Sequence, residues 1–174
     1  DIEPSRGLGD VYKRQGPGSV IALTAATDLT VADHAGRIVT MDPVGTPTAI
    51  TLPTIVATSD GASAGPGSDP NNKSTVGTTF EILFIDEFTG TISTDGTDKF
   101  VGSVMIGVDD GAKKAFVPAA ANDVMNLNGE AGAGNATTGG LIGSRVKFTA
   151  TADNTYMVEG LLIGDGTIAT PFGN

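Results

Sequence analysis

The sequence predicts an all-β fold: an antiparallel β-sandwich or barrel, jelly-roll-like, with long Gly- and Ser-rich loops and little helix. Three observations lead to this prediction. Short apolar segments alternate with clusters of Gly, Pro, Asn and Asp, as strands alternate with turns. Thr and Val, which suit half-buried pleated surfaces, are abundant, and 25 glycines are available for turns. Finally, no stretch of the chain sustains a helical period.

The first fifteen residues, DIEPSRGLGDVYKRQ, differ in composition from the rest of the chain. They hold three of the ten Lys and Arg residues and one of the two tyrosines, without a strand or helix period. The string GLGDVYKRQ resembles the translated sequencing-adapter tails found at the ends of proteins predicted from metagenomic assemblies. We expect residues 1–15 to be a non-native leader, or alternatively a flexible arm, and residues 16–174 to form one β domain.

Four segments in the first half of the chain have the composition of strands. They are SVIALTA (19–25), RIVTM (37–41), TAITLP (48–53) and TTFEILFID (78–86). Residues 28–36 are expected to be a connector. Within TAITLP, Ile50 and Leu52 point to one face, and Pro53 ends the strand because proline cannot donate a ladder hydrogen bond.

TTFEILFID is the strongest strand candidate because both of its faces are apolar. Alternation places Phe80, Ile82 and Phe84 on one face and Leu83 and Ile85 on the other. A strand with two apolar faces is either central in its sheet or also contacts a partner subunit.

KFVGSVMIGV (99–108) repeats this pattern. Alternation places Phe100, Val104 and Ile106 on one face and Val101 and Met105 on the other. Between them, the small residues 102 and 103 permit another layer to approach closely. Shorter strands are predicted in KAFVPA (114–119) and DVMNL (123–127).

The clearest hairpin lies in SRVKFTATADNTYMVEGLLIG (144–164). Val146 and Phe148 alternate with polar residues on the way in, and Tyr156 and Val158 alternate with Met and Glu on the way back. The turn falls in ADN (152–154). These alternations predict two adjacent antiparallel strands.

Two long Gly-rich segments, 58–77 and 129–140, have no period. Loops of this length in a compact domain are uncommon, and are either mobile or functional. We expect the first to be an arm that orders against a neighbouring subunit. Its candidate contact residues are Asp60, Ser63, Pro66, Asp69, Asn71 and Asn72.

Charge and cysteine content exclude several classes of function. A net charge of −10 disfavours nucleic acid and anionic membranes, which are bound mainly through Lys and Arg. The absence of cysteine excludes disulfides, thiolate metal sites and a cysteine nucleophile. No apolar run is long enough to span a membrane as a helix.

Catalytic chemistry has little support in the sequence. His34 is the only histidine, it lies in an expected turn, and no G-x-S-x-G elbow is present. Asp95, Asp98, Asp109 and Asp110 lie in Asp-Gly-rich turns that offer oxygen ligands for calcium, but tight hairpins require the same residues. We expect turn chemistry here, and no catalytic, cofactor-binding or metal-binding residues.

The arrangement LTVADHAGRIVTMD…ITLP resembles a pattern in virion surface proteins of tailed bacteriophages, especially marine ones. The matching residues are Leu29, Thr30, Asp33, Gly36, Asp42 and 50–53. The C-terminal TYMVEGLLIGDGTIATPF (155–172) is similar to the closing strand of that group, although a tryptophan often stands there in place of Tyr156. Proteins of this group are all-β, and serve as capsid decoration (cement) proteins or in head and tail fibres.

The resemblance implies a non-enzymatic viral structural protein without a cofactor, which binds the outer capsid surface and stabilises the virion. Its implied partners are the major capsid protein or other virion subunits and further copies of itself, as a dimer or trimer. A tail-fibre or head-fibre domain, or another virion shell protein, is the alternative within the same class. A secreted bacterial adhesin or carbohydrate-binding module is the alternative from another class.

Overall fold

A computed structural model describes residues 20–41, 48–56, 74–108, 111, 113–130 and 134–174. The predicted leader and most of the predicted loop 58–77 lie outside these residues. Within them, the chain forms strands and one short helix, α1 (Val31–His34). The strands are β1 (Val20–Leu23), β2 (Thr27–Asp28), β3 (Ile38–Met41), β4 (Thr48–Thr51), β5 (Thr79–Phe84), β6 (Thr89–Ser93), β7 (Lys99–Gly107), β8 (Lys113–Phe116), β9 (Val124–Asn128), β10 (Arg145–Ala152), β11 (Thr155–Ile163) and β12 (Phe172–Gly173).

The strands form two mixed sheets. The large sheet has seven strands in the order β1-β3-β5-β10-β11-β7-β8, and the small sheet has five in the order β12-β9-β6-β4-β2. A single apolar core draws its residues from both sheets. The rings of Phe100 in the large sheet and Phe172 in the small one lie 6.3 Å apart. The arrangement is therefore mostly β and sandwich-like.

The expectation of antiparallel, jelly-roll-like pairing is wrong for half of the strand pairs. Five of the ten pairs among the described residues are parallel: β1–β3, β3–β5, β2–β4, β4–β6 and β7–β11. From β1 to β6 the chain alternates between the large and the small sheet. Each of these strands is therefore followed by a strand of the other sheet, and not by one that pairs beside it. Successive strands of one sheet consequently run in the same direction.

The predicted alternation is confirmed. In each of these strands the residues assigned to one shared face are all buried: Ile50, Leu52, Phe80, Ile82, Phe84, Phe100, Val104, Ile106, Val146, Phe148, Tyr156 and Val158. Strand β5 lies third in the large sheet, between β3 and β10, which agrees with the first of its two predicted alternatives, a central position. The predicted hairpin is present as β10 and β11, with Asp153 and Asn154 in the turn. Asn154 has the positive φ of 55° that a tight turn requires.

The small residues of β7 serve a different purpose from the one expected. Gly102 has φ +105°, and a Cβ added there would lie 2.3 Å from the carbonyl oxygen of Val158 on β11. The close approach therefore occurs within the large sheet, between neighbouring strands, and not between layers. A residue with a side chain would clash at this point.

The segment 129–140 is packed against its own chain where the structure describes it. A Cβ added to Gly129 would lie 2.3 Å from the carbonyl oxygen of Gly140, and the Phe88 N–H donates to that oxygen across 2.8 Å. Ala136 is fully buried. The glycines of this segment therefore allow backbone to pack on backbone.

Four elements were not predicted from the sequence: the strands β2, β6 and β12 and the helix α1. Strand β6 (TGTIS) contains a single large apolar residue, Ile92, and therefore shows no alternation. The expected connector 28–36 contains the end of β2 and all of α1. Thr30 caps this helix, with its side-chain oxygen accepting from the Asp33 N–H across 3.2 Å.

Candidate functional site

The outward surface of the large sheet is the candidate functional site, and we call it the outer face. Strand registers place its side chains in rows across β5, β10, β11 and β7. One row holds Glu81, Lys147, Glu159 and Ser103, and the next holds Leu83, Arg145, Leu161 and Met105. A third row holds Thr79, Thr149, Met157 and Val101.

The centre of the outer face carries two ion pairs. The Arg145 guanidinium lies 3.5 Å from the Glu81 carboxylate, and the Lys147 ammonium lies 3.1 Å from that of Glu159. Each base lies on β10 and each acid on a neighbouring strand, so charges of opposite sign alternate across the sheet. The formal charges of these two acids and two bases sum to zero.

Beside these pairs, β7 and β11 present an exposed apolar stripe, which we define as Val101, Met105, Leu161 and Ile163. These side chains are 45%, 45%, 52% and 36% exposed, respectively. Met105 and Leu161 are register partners on adjacent strands, so their side chains are neighbours. Apolar residues gathered on one sheet face are typical of a surface that binds another protein.

Part of this surface was predictable from the sequence. Alternation places Val101 and Met105 together on the second apolar face of their strand, and the structure shows that this face points away from the core and is exposed. Leu161 and Ile163 were missed because GLLIG reads as a continuous apolar run with no alternation. Only the pairing of β11 with β7 joins the four residues into one stripe.

Acidic side chains of the described residues are common in the turns and connections. Asp86 and Glu87 lie between β5 and β6, Asp95 lies between β6 and β7, and Asp153 lies in the β10–β11 turn. The whole chain carries a net charge of −10. The neutral centre of the outer face therefore differs electrostatically from the rest of this acidic chain.

The turn between β6 and β7 uses its carboxylates to hold backbone. Asp95 Oδ1 accepts from the N–H groups of Thr97 (2.8 Å) and Asp98 (3.1 Å), and its Oδ2 accepts from the Thr54 hydroxyl (2.9 Å). Burial raises the pKa of Asp95, but these hydrogen bonds outweigh it and leave the pKa below its ordinary value. The expected turn chemistry is thus supported for Asp95.

Asp98 in the same turn is fully buried. Its Oδ2 accepts from the Ile55 N–H across 2.9 Å, and its Oδ1 has no hydrogen-bond partner among the described residues. Burial raises the pKa of Asp98, the Ile55 hydrogen bond opposes this, and the negative charges of Asp95 and Asp153 raise it further. Through its hydrogen bond to Ile55, Asp98 joins the turn to the segment that follows β4.

That segment leads into the predicted loop 58–77. The Tyr156 hydroxyl donates to the Pro53 carbonyl oxygen across 2.6 Å. Farther along, Val56 and Thr75 are joined by two hydrogen bonds of 2.8 and 2.9 Å. The two ends of the loop are therefore fixed to each other and to the sandwich.

The other residues considered from the sequence, as candidates for subunit contact, calcium binding or catalysis, lie in different places. Six candidate contact residues lie outside the described residues: Asp60, Ser63, Pro66, Asp69, Asn71 and Asn72. Asp109 and Asp110 also lie outside them. His34 is described, and its Nδ1 accepts from the Thr30 N–H across 3.0 Å within the same helical turn.

The described residues contain no group of three or more His, Cys, Asp or Glu side chains placed to hold a metal ion. No helix among them is long and apolar enough to cross a membrane.

Comparison with known proteins returned no relative. No protein-family model, no curated protein and no solved structure matches the chain. The resemblance to bacteriophage surface proteins stays a prediction from the sequence.

Proposed function

We propose that this chain is a non-enzymatic structural protein of a virion: a decoration (cement) protein that binds the outer capsid surface and stabilises the particle. The single observation that carries the proposal is the outer face, a broad sheet surface with an exposed apolar stripe beside a neutral charged centre. A surface of this kind suits permanent contact between proteins. The resemblance to bacteriophage surface proteins indicates that the assembly is a virion.

The rest of the fold supports the same function. The core spans both sheets, and the described part of segment 129–140 is packed on its own chain. A scaffold held in one shape loses little entropy on assembly. Many weak contacts at symmetry-related positions strengthen binding through multivalency. In this proposal, the segment 58–77 contacts neighbouring virion subunits while the sandwich supports it.

The experiment is immunogold electron microscopy with an antiserum raised against the purified chain. Intact, nuclease-treated tailed-phage particles that carry the gene, and the cells they are collected with, are labelled, with serum pre-absorbed on the purified chain as the control. Gold on the capsid is the expected result. Gold confined to tails or fibres would favour the fibre alternative, and label on cells alone would overturn the virion assignment in favour of an adhesin.

A further inference from the structure

We infer that a second copy of this chain covers the outer face, forming a face-to-face dimer about a two-fold axis. The inference rests on the proposed function and deepens it: it assigns the outer face to contact between copies of this chain and leaves the segment 58–77 to contact other virion subunits, and it can be tested on the purified chain alone. A two-fold interface uses the same patch on both copies, so the patch must be compatible with itself.

The apolar stripe supplies the first argument. Met105 and Leu161 are neighbours in one row, Ile163 lies in the next row, and Val101 lies two rows away on the other side of Ser103 and Glu159. All four are exposed although they lie within the two longest strands of the large sheet. Burying them against the same stripe of another copy removes apolar surface from water on both sides.

The second argument is charge, and it indicates that the partner is another copy of this chain. With a net charge of −10, two copies repel each other when acidic surfaces meet. The centre of the outer face is neutral, and its carboxylates are already paired with Arg145 and Lys147. A strongly basic partner would be drawn to the acidic turns, whereas a neutral, partly apolar face matches another neutral, partly apolar face.

The size of the face is sufficient for a stable dimer. Seven strands about 4.8 Å apart give a width of about 29 Å, and the longest strands extend about 30 Å. Because the outer strands are shorter, the area of the face is on the order of 700 Å². A standard interface buries roughly 800 Å² on each partner, which is close to this value. Sheets that pack face to face do so about 10 Å apart, with their strands within about 30°.

The β8 edge of the large sheet is less suited to joining two copies. Strand β8 exposes Lys113 and Lys114, and lysines on an edge strand oppose pairing with another strand. Packing through the face avoids this edge.

The test is sedimentation equilibrium and light scattering of the full chain across a wide range of protein concentration. Leu161→Lys and Met105→Lys are compared with the control Val76→Lys. Val76 is an exposed valine (38%) in the connection before β5. All three variants make the net charge less negative by the same amount, so a difference between them cannot come from overall repulsion.

We expect a dimer for the unmodified chain and for Val76→Lys, and an increase in dissociation constant of at least tenfold for the two stripe variants. Unchanged circular dichroism spectra and a cooperative thermal transition will show that the stripe variants are folded; their melting temperature should fall only as far as the lost dimer accounts for. A chain that is monomeric at every concentration, a trimer, or a dimer indifferent to the stripe variants would each overturn the inference. None of these results depends on the immunogold experiment, so the dimer and the virion assignment can fail separately.

Discussion

The hydroxyl of Tyr156 donates a hydrogen bond to the carbonyl oxygen of Pro53 across 2.6 Å, joining residues 103 positions apart in the sequence. The tyrosine ring is buried in the core, and its hydroxyl reaches the segment that leads into the predicted loop. Burial raises the pKa of Tyr156, and the negative charges of Asp98 and Asp95 raise it further. Because its pKa is raised, the hydroxyl stays protonated and remains a hydrogen-bond donor. It therefore fixes one end of this loop to the large sheet.

Tyr156→Phe keeps the buried ring and removes only this donor. We expect the free energy of unfolding to fall by about 1–2 kcal/mol, because the partly buried Pro53 carbonyl loses its hydrogen bond. Urea unfolding followed by circular dichroism measures the change. An unchanged free energy of unfolding would show that water replaces the hydroxyl without cost.

Asp98→Asn should change how stability depends on pH. The folded pKa of Asp98 is raised, so between the ordinary aspartate pKa and the folded value the native state binds more protons than the unfolded state. This contribution to stability is present in acid and is lost as pH rises through that window. We therefore expect the variant to gain stability relative to the unmodified chain as pH rises from about 4 towards neutrality, measured by urea unfolding at each pH.

Asp95→Asn is the matched control for this experiment, because Asp95 lies in the same turn and its pKa is lowered. Its contribution to stability is present above the ordinary aspartate pKa and is lost as pH falls. Relative to the unmodified chain, this variant should lose stability as pH rises up to the ordinary aspartate pKa of about 4, below the range in which Asp98 acts, so the pH series is extended into that acid range. Parallel pH profiles for the two variants would contradict the assigned directions.

Gly102→Ala should be strongly destabilising. The added Cβ would lie 2.3 Å from the Val158 carbonyl oxygen, at a backbone φ of +105° that other residues rarely adopt. We expect a loss of at least about 2 kcal/mol in the free energy of unfolding. Gly107→Ala in the same strand is the control, because a Cβ there meets nothing within 4 Å. Equal effects of the two substitutions would show that the close β7–β11 contact is not what requires glycine.

Calcium should not affect stability. The Asp95 carboxylate is occupied by two backbone N–H groups and the Thr54 hydroxyl, and one oxygen of Asp98 holds the Ile55 N–H. We expect the same melting temperature in excess calcium and in excess chelator, measured by differential scanning calorimetry. A melting temperature that falls with chelator and recovers with calcium would favour the secreted adhesin alternative.

Much of the strand content was predictable because the signal for a strand is local. Side chains alternate across a strand, so the apolar positions of β5, β7, β10 and β11 were sufficient to show which residues share a face. The β10–β11 hairpin was predictable because two alternating segments flank a short turn that tolerates positive φ. Strand β6 was not, since Ile92 is its only large apolar side chain.

The sequence by itself determined most of the strands, which residues share a face within them, and that Asp95 and Asp98 belong to a turn. Only the tertiary structure decided which strands pair and in which direction, because the same Gly- and Asp-rich connection can reverse a strand within one sheet or carry it to the other. The same holds for the outer face and for the Asp98–Ile55 contact. These depend on residues far apart in the chain, and local periodicity contains no information about which distant segments meet.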